Sequence, residues 1–349
     1  MKTIIKIMPV LMFFLFLSNL GFSETKKPLV YMYVPPWKDN GENLREIVEK
    51  DNHWISTREK IDAIGYWPLL LQLHFTADQR TAFFTKMKEW NKLFVMEIPV
   101  VKGNDWCGPM TALDAKSAIE LYLAQEELFK KEGMPEIFMF SFDEPIYAAR
   151  HVIPTQISNK TLEIDDYTYS DDPKERMNYG IKETAKFIRD IRKHCPNAKI
   201  ANIEPYPVMP LDELKYAFDG IQEECKKLGV KGLDSFRVDV DWANMYSGFY
   251  KGNWTEMKEL CDYVKSKNTD FGMIYWASDM PYLDMKNIKY NTSWYVGIMH
   301  QGNILKQIGL EPDEYIIESW IHMDNNMTPE SDITSFSRSI LDFCNAFVK

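Results

Sequence analysis

Cysteine is scarce in this chain of 349 residues, and its spacing forms no known motif. The five cysteines stand far apart, at Cys107, Cys195, Cys225, Cys261 and Cys344. Because no Cys-x-x-Cys or similar pair occurs, the sequence offers neither a zinc motif nor a redox motif. One or two disulfides are compatible with this number, and since the number is odd, at least one thiol stays unpaired.

Signatures of three other kinds of site are also missing. No Gly-x-Ser-x-Gly sequence is present, which argues against the nucleophile elbow of a serine hydrolase. The six histidines include no close pair at metal-ligand spacing. The first predicted strand runs into Val34-Pro-Pro-Trp37 and not into the glycine-rich turn that binds dinucleotide phosphates. We therefore predict no cofactor.

Clusters of positive charge are lacking too. The chain has 41 Lys and Arg against 51 Asp and Glu, which gives a formal net charge of −10. An acidic chain without a basic patch is poorly suited to the phosphates of nucleic acids and to anionic membranes. We expect no nucleic-acid partner, and the sequence leaves the oligomeric state open.

One long apolar run stands near the first residue. Ile7–Leu17 follows Lys2 and Lys6 and precedes Gly21-Phe22-Ser23, whose small residues suit a cleavage site. The run is too short to span a membrane comfortably. We expect residues 1–23 to be a signal peptide and residues 24–349 to be secreted or periplasmic, with no membrane attachment after cleavage.

Short apolar runs alternate with amphipathic segments along the remaining chain, and 45% of all 349 residues are hydrophobic. The predicted strands are Leu29–Val34, Trp67–Phe75, Leu93–Val101, Glu136–Phe142, Lys199–Ile203, Leu233–Trp242, Phe271–Trp276 and Tyr315–Trp320. The predicted helices cover about residues 42–61, 76–91, 114–131, 173–195, 211–228, 253–267, 292–308 and 329–347. Eight strand–helix units predict a single (β/α)₈ TIM barrel over residues 24–349.

Acids and indoles collect at or near the carboxyl ends of these strands, where a barrel of this kind places its active site. The acids are Glu97, Asp143, Glu144, Glu204, Asp239, Asp241 and Glu318. The indoles are Trp37, Trp242, Trp276 and Trp320. Each acid alone could pair with a cation or cap a helix, but comparable positions hold few cations: Arg237, with Lys102 and Arg150 nearby.

Such a rim suits cleavage of a glycosidic bond, which requires one protonated carboxyl and a second, ionised carboxylate. We predict Glu144 as the acid and Asp143, Glu204 or Glu318 as its catalytic partner. Glu97, Asp239, Asp241 and the four tryptophans are predicted to bind substrate. Pro145 is expected to hold Glu144 in an extended backbone, and the polar segment 146–172 is long enough to shape the site.

The sequence Ser141-Phe142-Asp143-Glu144-Pro145 on a fourth barrel strand resembles barrel glycoside hydrolases. In the large retaining clan of these enzymes, Asn-Glu-Pro ends strand four and a nucleophilic Glu ends strand seven. Here Asp143 replaces the Asn, and strand seven ends in Ile274-Tyr-Trp-Ala-Ser278 without an acid. The Asp-Glu pair is closer to barrel N-acetylhexosaminidases, whose substrate supplies its own acetamido nucleophile. This resemblance implies that Glu144 is the acid and that Asp143 orients the acetamido group.

Two alternatives to a hydrolase of this kind remain open. The same rim would serve a carbohydrate-binding barrel without turnover. A metal-dependent hydrolase is the other alternative, because Asp239 and Asp241 with Glu204 could form an oxygen site for a divalent cation.

Overall fold

Eight parallel strands close into a barrel in which each strand pairs with its sequence neighbours and β8 pairs with β1. The computed structural model describes residues 27–34, 41–102, 113–154, 170–245, 250–277, 290–319 and 326–348. The strands are β1 Leu29–Tyr33, β2 Ala63–Tyr66, β3 Leu93–Ile98, β4 Ile137–Asp143, β5 Lys199–Tyr206, β6 Ser235–Asp241, β7 Asp270–Trp276 and β8 Glu314–Ile317. The predicted (β/α)₈ barrel is therefore confirmed. The predicted signal peptide lies outside the described residues.

Helices surround this barrel and connect successive strands. They are α1 Glu42–Glu49, α2 Ile55–Lys60, α3 Pro68–His74, α4 Ala77–Glu89, α5 Ala115–Lys131, α6 Pro145–Tyr147, α7 Pro173–His194, α8 Leu211–Lys227, α9 Trp254–Ser266, α10 Tyr290–Gln307 and α11 Phe336–Phe347. A short 3-10 turn, Asp51–His53, separates α1 from α2, and a π-turn, Ala148–Val152, follows α6. No helix in the described part of the chain is long and apolar enough to cross a membrane.

The second strand is where the sequence prediction fails. Trp67–Phe75 was predicted as β2, but most of it forms α3, and the strand is the preceding Ala63–Tyr66. An apolar run of this length does not by itself distinguish a strand from a buried helix. Pro68, at the first helical position, is the local signal for a helix. Proline is common at this position, because the backbone N–H that it lacks would have no partner within the helix.

Two predicted helices also differ from the structure. The segment 42–61 contains α1, a 3-10 turn and α2 in place of one helix. The closing helix begins at Phe336 and not at Pro329, because Ser335 caps it by accepting a hydrogen bond from the amide of Arg338. The predicted start of the helix after β2 is confirmed, since Thr76 and Gln79 form a reciprocal capping box at α4.

Side chains alternate between the inside of the barrel and the helix layer, as the two-residue period of a strand requires. A continuous inner cluster fills the barrel and consists of Tyr31, Tyr33, Ala63, Val95, Met139, Ala201, Ile203, Ile274 and Ile316. A larger outer cluster packs the other face of the strands against the helices. Membership of these two clusters shows which face of each strand points into the barrel. The two-residue period then gives the direction of the side chains at the strand ends.

A buried ion pair crosses the barrel interior. Arg237 is 0% exposed and donates from Nε to Glu314, which is 1% exposed, at 2.8 Å. Glu314 also accepts hydrogen bonds from Tyr31 at 3.1 Å and from Ser235 at 2.9 Å. Charges buried this deeply require such compensation, because an unpaired one would be very costly. Arg237, noted in the sequence as a cation among the strand-end acids, is thus the partner of Glu314 in an ion pair inside the barrel.

The described cysteines are all free thiols: Cys195, Cys225, Cys261 and Cys344. The last three are buried, and burial raises the pKa of each of these thiols to about 12. Cys107 lies outside the described residues. A disulfide between any two of the four described cysteines is therefore excluded.

Candidate active site

Four strands direct acids into the mouth of the barrel, at its carboxyl end. Val95 and Met139 belong to the inner cluster, so Glu97 and Asp143, spaced from them by an even number of residues, also face inward. The same alternation directs Asp239 and Asp241 inward from β6 and Glu318 inward just beyond β8. We call Glu97, Asp143, Glu144, Asp239, Asp241 and Glu318 the mouth acids.

Glu144 follows β4 directly and has a left-handed backbone, with φ 51° and ψ 43°. The expectation that Pro145 would keep it extended is wrong. Its amide donates to the carbonyl of Ile203 at 3.1 Å, and its carbonyl accepts from Ala148 at 2.8 Å. These bonds fix a conformation that costs a residue with a side chain roughly 1–2 kcal/mol. Strain of this kind concentrates at functional sites.

Glu204 does not join the mouth acids. It is 0% exposed and follows the inward-facing Ile203, so its side chain points towards the helix layer. One oxygen accepts from Ile146 N and Asn202 Nδ2, both at 3.0 Å, and the other accepts from Tyr147 N at 3.0 Å. Burial raises the pKa of Glu204 to about 8, although these three donors oppose the rise. This arrangement favours an anchoring role for Glu204 over the catalytic role predicted from the sequence.

The metal alternative loses its predicted ligand set for the same reason. Glu204 faces away from Asp239 and Asp241, so the three acids cannot share one ion. Asp241 itself accepts a hydrogen bond from the amide of Ala243 at 3.0 Å, which closes a tight turn after β6. Over the described ranges, no group of three His, Cys, Asp or Glu side chains is arranged to hold a metal.

Asp143 forms an ion pair with Lys102, which follows β3. Both side chains are largely buried, at 17% and 14% exposure respectively. Neighbouring charges of opposite sign favour the ionised form of a carboxyl group. Asp143 is therefore held beside a positive charge, directly before Glu144.

Asp239 is a mouth acid with a strongly perturbed pKa. Burial, then the charges of Glu318 and Glu144, raise its pKa well above the usual value, while a hydrogen bond from the indole of Trp276 opposes the rise. Closely spaced carboxyls cannot all ionise at little cost, and the group surrounded by the others keeps its proton longest. The mouth thus surrounds a carboxyl of raised pKa with other acids.

The predicted tryptophans separate into different environments. Trp276 packs on the inner cluster, beside Asp239. Trp242 packs on the outer cluster and donates to Nδ1 of His300 at 3.0 Å, so the structure places it against α10 and away from the mouth. Trp37 and Trp320 lie outside the described residues. Of the four, Trp276 is the one that the structure places beside the mouth acids.

Sequence reasoning assigned no role at this site to three residues that contact it. Trp67 donates its indole N–H to Glu97, but the sequence prediction makes it the first residue of a strand. Tyr33 ends β1, and Glu97 and Glu318 both act on it electrostatically. Arg237 reaches the same tyrosine from below. Tyr33 and Trp67 lie at or just after the ends of β1 and β2, which was the available signal, but the misplacement of β2 put Trp67 at the start of a strand.

The remaining predicted cation, Arg150, lies beside the start of the long connection after β4. It pairs with Glu213 at the start of α8 and does not pair with a mouth acid. Residues 155–169 of the same connection, predicted to shape the site, lie outside the described residues.

Comparison with known proteins identifies no family for this chain. No family model matches it, and no curated protein shows a significant match. Among solved structures, the chain is similar to a D-psicose 3-epimerase from Clostridium cellulolyticum H10, with 12% identity, a TM-score of 0.46, and coverage of 91% of this chain and 97% of that chain.

Two xylanases give similar values. An intracellular xylanase from Thermoanaerobacterium saccharolyticum has 10% identity and a TM-score of 0.47, with coverage of 85% of this chain and 86% of that chain. A psychrophilic family 10 endo-β-1,4-xylanase has 9% identity and a TM-score of 0.45, with 89% of each chain covered. Similarity this distant carries no argument about function, so the function is argued from the residues of this chain.

Proposed function

We propose that this protein is an exported glycoside hydrolase that cleaves a glycosidic bond in an oligo- or polysaccharide by carboxyl acid–base catalysis. Export rests on the signal-like residues 1–23. The reaction rests on the mouth acids. No cofactor enters the proposal.

One observation carries the proposal: Asp239 is a carboxyl of raised pKa within a cluster of acids. Burial, then the charges of Glu318 and Glu144, raise its pKa well above the usual value, and carboxyls held close together separate one another's pKa values, so that one keeps its proton longer than another. Glycosidic cleavage needs two carboxyls that differ in this way, because one group protonates the leaving oxygen while another supports the positive charge that develops on the sugar. A barrel that only binds sugar has no need for this costly arrangement of charges.

Within this cluster, Glu144 is the donor to the leaving oxygen, and its charge contributes to the raised pKa of Asp239. Glu318 serves as the second carboxyl group of the reaction. Asp143, paired with Lys102, stays charged next to the donor, which suits a group that holds the N–H of an acetamido substituent and stabilises the cation formed from it. An N-acetylhexosaminide is therefore the first substrate class to examine.

The proposal is tested by the release of new reducing ends from a panel of glycans that includes N-acetylhexosaminides. We expect turnover by the unmodified protein and a loss of at least about 100-fold in Glu144→Gln, since general acid catalysis contributes roughly 10²–10⁴-fold. Binding of the same glycans should persist, because Gln keeps the shape of Glu. Glu223→Gln, on the exposed face of α8, is the matched control and should retain full activity.

Other outcomes would favour the alternatives. Binding without turnover on the whole panel would indicate a carbohydrate-binding barrel. Turnover that strong chelators abolish would indicate a metal-dependent hydrolase.

A further inference from the structure

The residues next to one ion pair have an unusual backbone. Lys102, which follows β3, pairs with Asp143 at the end of β4, and both side chains are largely buried. Val101, directly before the lysine, has φ 52°, and Glu144, directly after the aspartate, has φ 51°. Positive φ is uncommon in residues with a side chain, and in a β-branched residue such as valine it is a genuine outlier. Each partner of the ion pair is therefore adjacent to a strained residue.

The conformation of Glu144 is opposed by its own sequence. Pro145 follows it directly, and a proline favours an extended backbone in the residue before it. A strained conformation persists only where the surrounding structure enforces it. We call Asp143 and Glu144 the β4 corner. Its left-handed backbone competes with the extended one that the sequence favours, so contacts with other residues must hold it.

Contacts from both neighbouring strands hold the β4 corner. Strands β3 and β5 are the two partners of β4 in the barrel. From β5, the carbonyl of Ile203 accepts the Glu144 amide at 3.1 Å. From the end of β3, the ammonium of Lys102 holds the Asp143 carboxylate. The ion pair is the contact made by side chains, so it is the one that a substitution can remove.

The lysine itself is held on a fixed base. The Val101 side chain is 0% exposed and belongs to the outer cluster, between the strands and the helices. Its burial in the core anchors the backbone directly before Lys102. One position further on, the ammonium of Lys102 reaches Asp143, which faces the barrel mouth. The ion pair thus connects two fixed points, the packed valine and the end of β4.

We infer that Lys102 is a positioning residue of the site: its ion pair with Asp143 keeps the β4 corner left-handed and so directs the Glu144 side chain. Without the pair, the corner relaxes towards the extended backbone that Pro145 favours, and the Glu144 carboxyl moves. The control of the backbone by Lys102 is independent of the proposed function, whereas its consequence for catalysis rests on that function.

The preference of the β4 corner for glycine reports its backbone without any substrate. Glycine adopts positive φ freely, whereas alanine does not. We therefore expect Glu144→Gly to melt about 2 °C above Glu144→Ala, although glycine is the less stabilising residue at most positions. Both variants lack the carboxyl group, so their charges are equal. Absence of this advantage in the otherwise unmodified protein would contradict a left-handed corner and overturn the inference.

The same comparison in a Lys102→Met background tests the role of the lysine. Methionine keeps an apolar stem but not the charge. The advantage of Glu144→Gly over Glu144→Ala should disappear or reverse there, because an extended backbone does not require glycine. In a Lys102→Arg background, which retains the charge, the advantage should remain. An advantage of unchanged size in the Lys102→Met background would overturn the inference.

A second background keeps the test decisive if Lys102→Met folds poorly. That substitution leaves Asp143 as a largely buried carboxylate without its partner, which is costly. Adding Asp143→Asn removes the second charge and should raise the melting temperature above that of Lys102→Met alone. The glycine advantage should be absent in this background too, and its persistence would contradict the inference.

Lys131→Met is the matched control background. Lys131 forms an ion pair with Glu127 at 3.0 Å, but both side chains are exposed. Exposed pairs of this kind contribute little to stability. The advantage of Glu144→Gly should therefore stay at about 2 °C. Its loss in this background would show that it does not depend on the pair of Lys102 with Asp143, and the inference would be wrong.

Activity provides the readout for the catalytic consequence. If the unmodified protein turns over a glycan, Lys102→Met should lose about 100-fold in kcat, because a small misplacement of a catalytic group costs about this much. KM should change little, and Lys102→Arg should recover part of the loss. A loss confined to KM, or no loss, would contradict the inference. Absence of turnover by the unmodified protein would refute the proposed function instead, while the melting temperatures would still decide the role of Lys102.

Discussion

Hydrogen bonds to individual side chains decide which carboxyls of the mouth can take part in acid–base chemistry. Glu97 receives an N–H from Trp67, and Asp239 receives one from Trp276. Glu204 is also a carboxyl at a strand end, but both of its oxygens accept hydrogen bonds from backbone N–H groups outside the barrel interior. Residue type and position in the sequence thus identified the candidates, but partners distant in the sequence determine their roles.

The raised pKa of Asp239 leads to a stability prediction. In the unfolded chain the carboxyl ionises near pH 4, whereas in the folded protein it holds its proton to higher pH. Above about pH 4, this difference costs the folded protein about 1.4 kcal/mol for each pH unit until the folded pKa is reached. Asp239→Asn removes that cost and keeps an oxygen for Trp276.

Asp239→Asn should therefore be more stable than the unmodified protein at neutral pH, and the gain should disappear towards pH 4. Urea unfolding at several pH values measures it. A variant that is less stable at neutral pH would show that Asp239 contributes as an ionised group.

Two tyrosines offer a matched test of buried hydroxyls. Within the described structure, the Tyr66 hydroxyl is buried and has no hydrogen-bond partner. The Tyr206 hydroxyl donates to Glu256 at 2.7 Å and accepts from the amide of Asn253 at 2.7 Å. A buried polar group left without a partner costs about 1–3 kcal/mol.

Tyr66→Phe should accordingly raise the free energy of unfolding by about 1 kcal/mol, and Tyr206→Phe should lower it by about 1–3 kcal/mol. Chemical denaturation of both variants gives the two values. Equal effects of the two substitutions would contradict the assignment of their hydroxyls.

At the scale of elements, the sequence predicted strands best where apolar runs are bounded by clear turns. β4 and β7 were located to within a residue or two because polar segments flank them. β2 was misplaced because Ala63–Tyr66 is short and is followed by the more apolar α3. The outward direction of Glu204 was readable in principle from the two-residue period of β5, but the prediction ended that strand at Ile203.

The segment after β4 depends on Glu204. Both oxygens of Glu204 face N–H donors of the chain that begins at Pro145. In Glu204→Gln, an amide NH₂ group would replace one carboxyl oxygen. This donor would then face a backbone N–H, which is also a donor. We expect a loss of about 1–3 kcal/mol in unfolding free energy and reduced activity through displacement of Glu144.

Glu127→Gln, on the exposed face of α5, is the control for this variant and should change neither property. Calorimetry and an activity assay together decide the outcome. Activity lost at unchanged stability would restore Glu204 to the catalytic role predicted from the sequence.

At the scale of the whole molecule, the barrel converts acids scattered over 222 positions, from Glu97 to Glu318, into one cluster. The sequence predicted this convergence because parallel strands of a closed barrel end on the same face. It could not predict the ion pair of Arg237 with Glu314 or the support that Tyr33 receives, since these contacts join residues 77 and 204 positions apart. Such pairings are set by the stagger of the strands, which composition and periodicity do not encode.

The role of Glu144 as proton donor is tested most directly by varying the leaving group. A glycoside with an alkyl or sugar leaving group needs protonation as its bond breaks, whereas a dinitrophenyl glycoside of the same sugar does not. We predict that Glu144→Gln loses at least about 100-fold in kcat/KM on the first substrate and retains most of its activity on the second. Equal losses on both substrates would contradict the assignment of Glu144 as the acid.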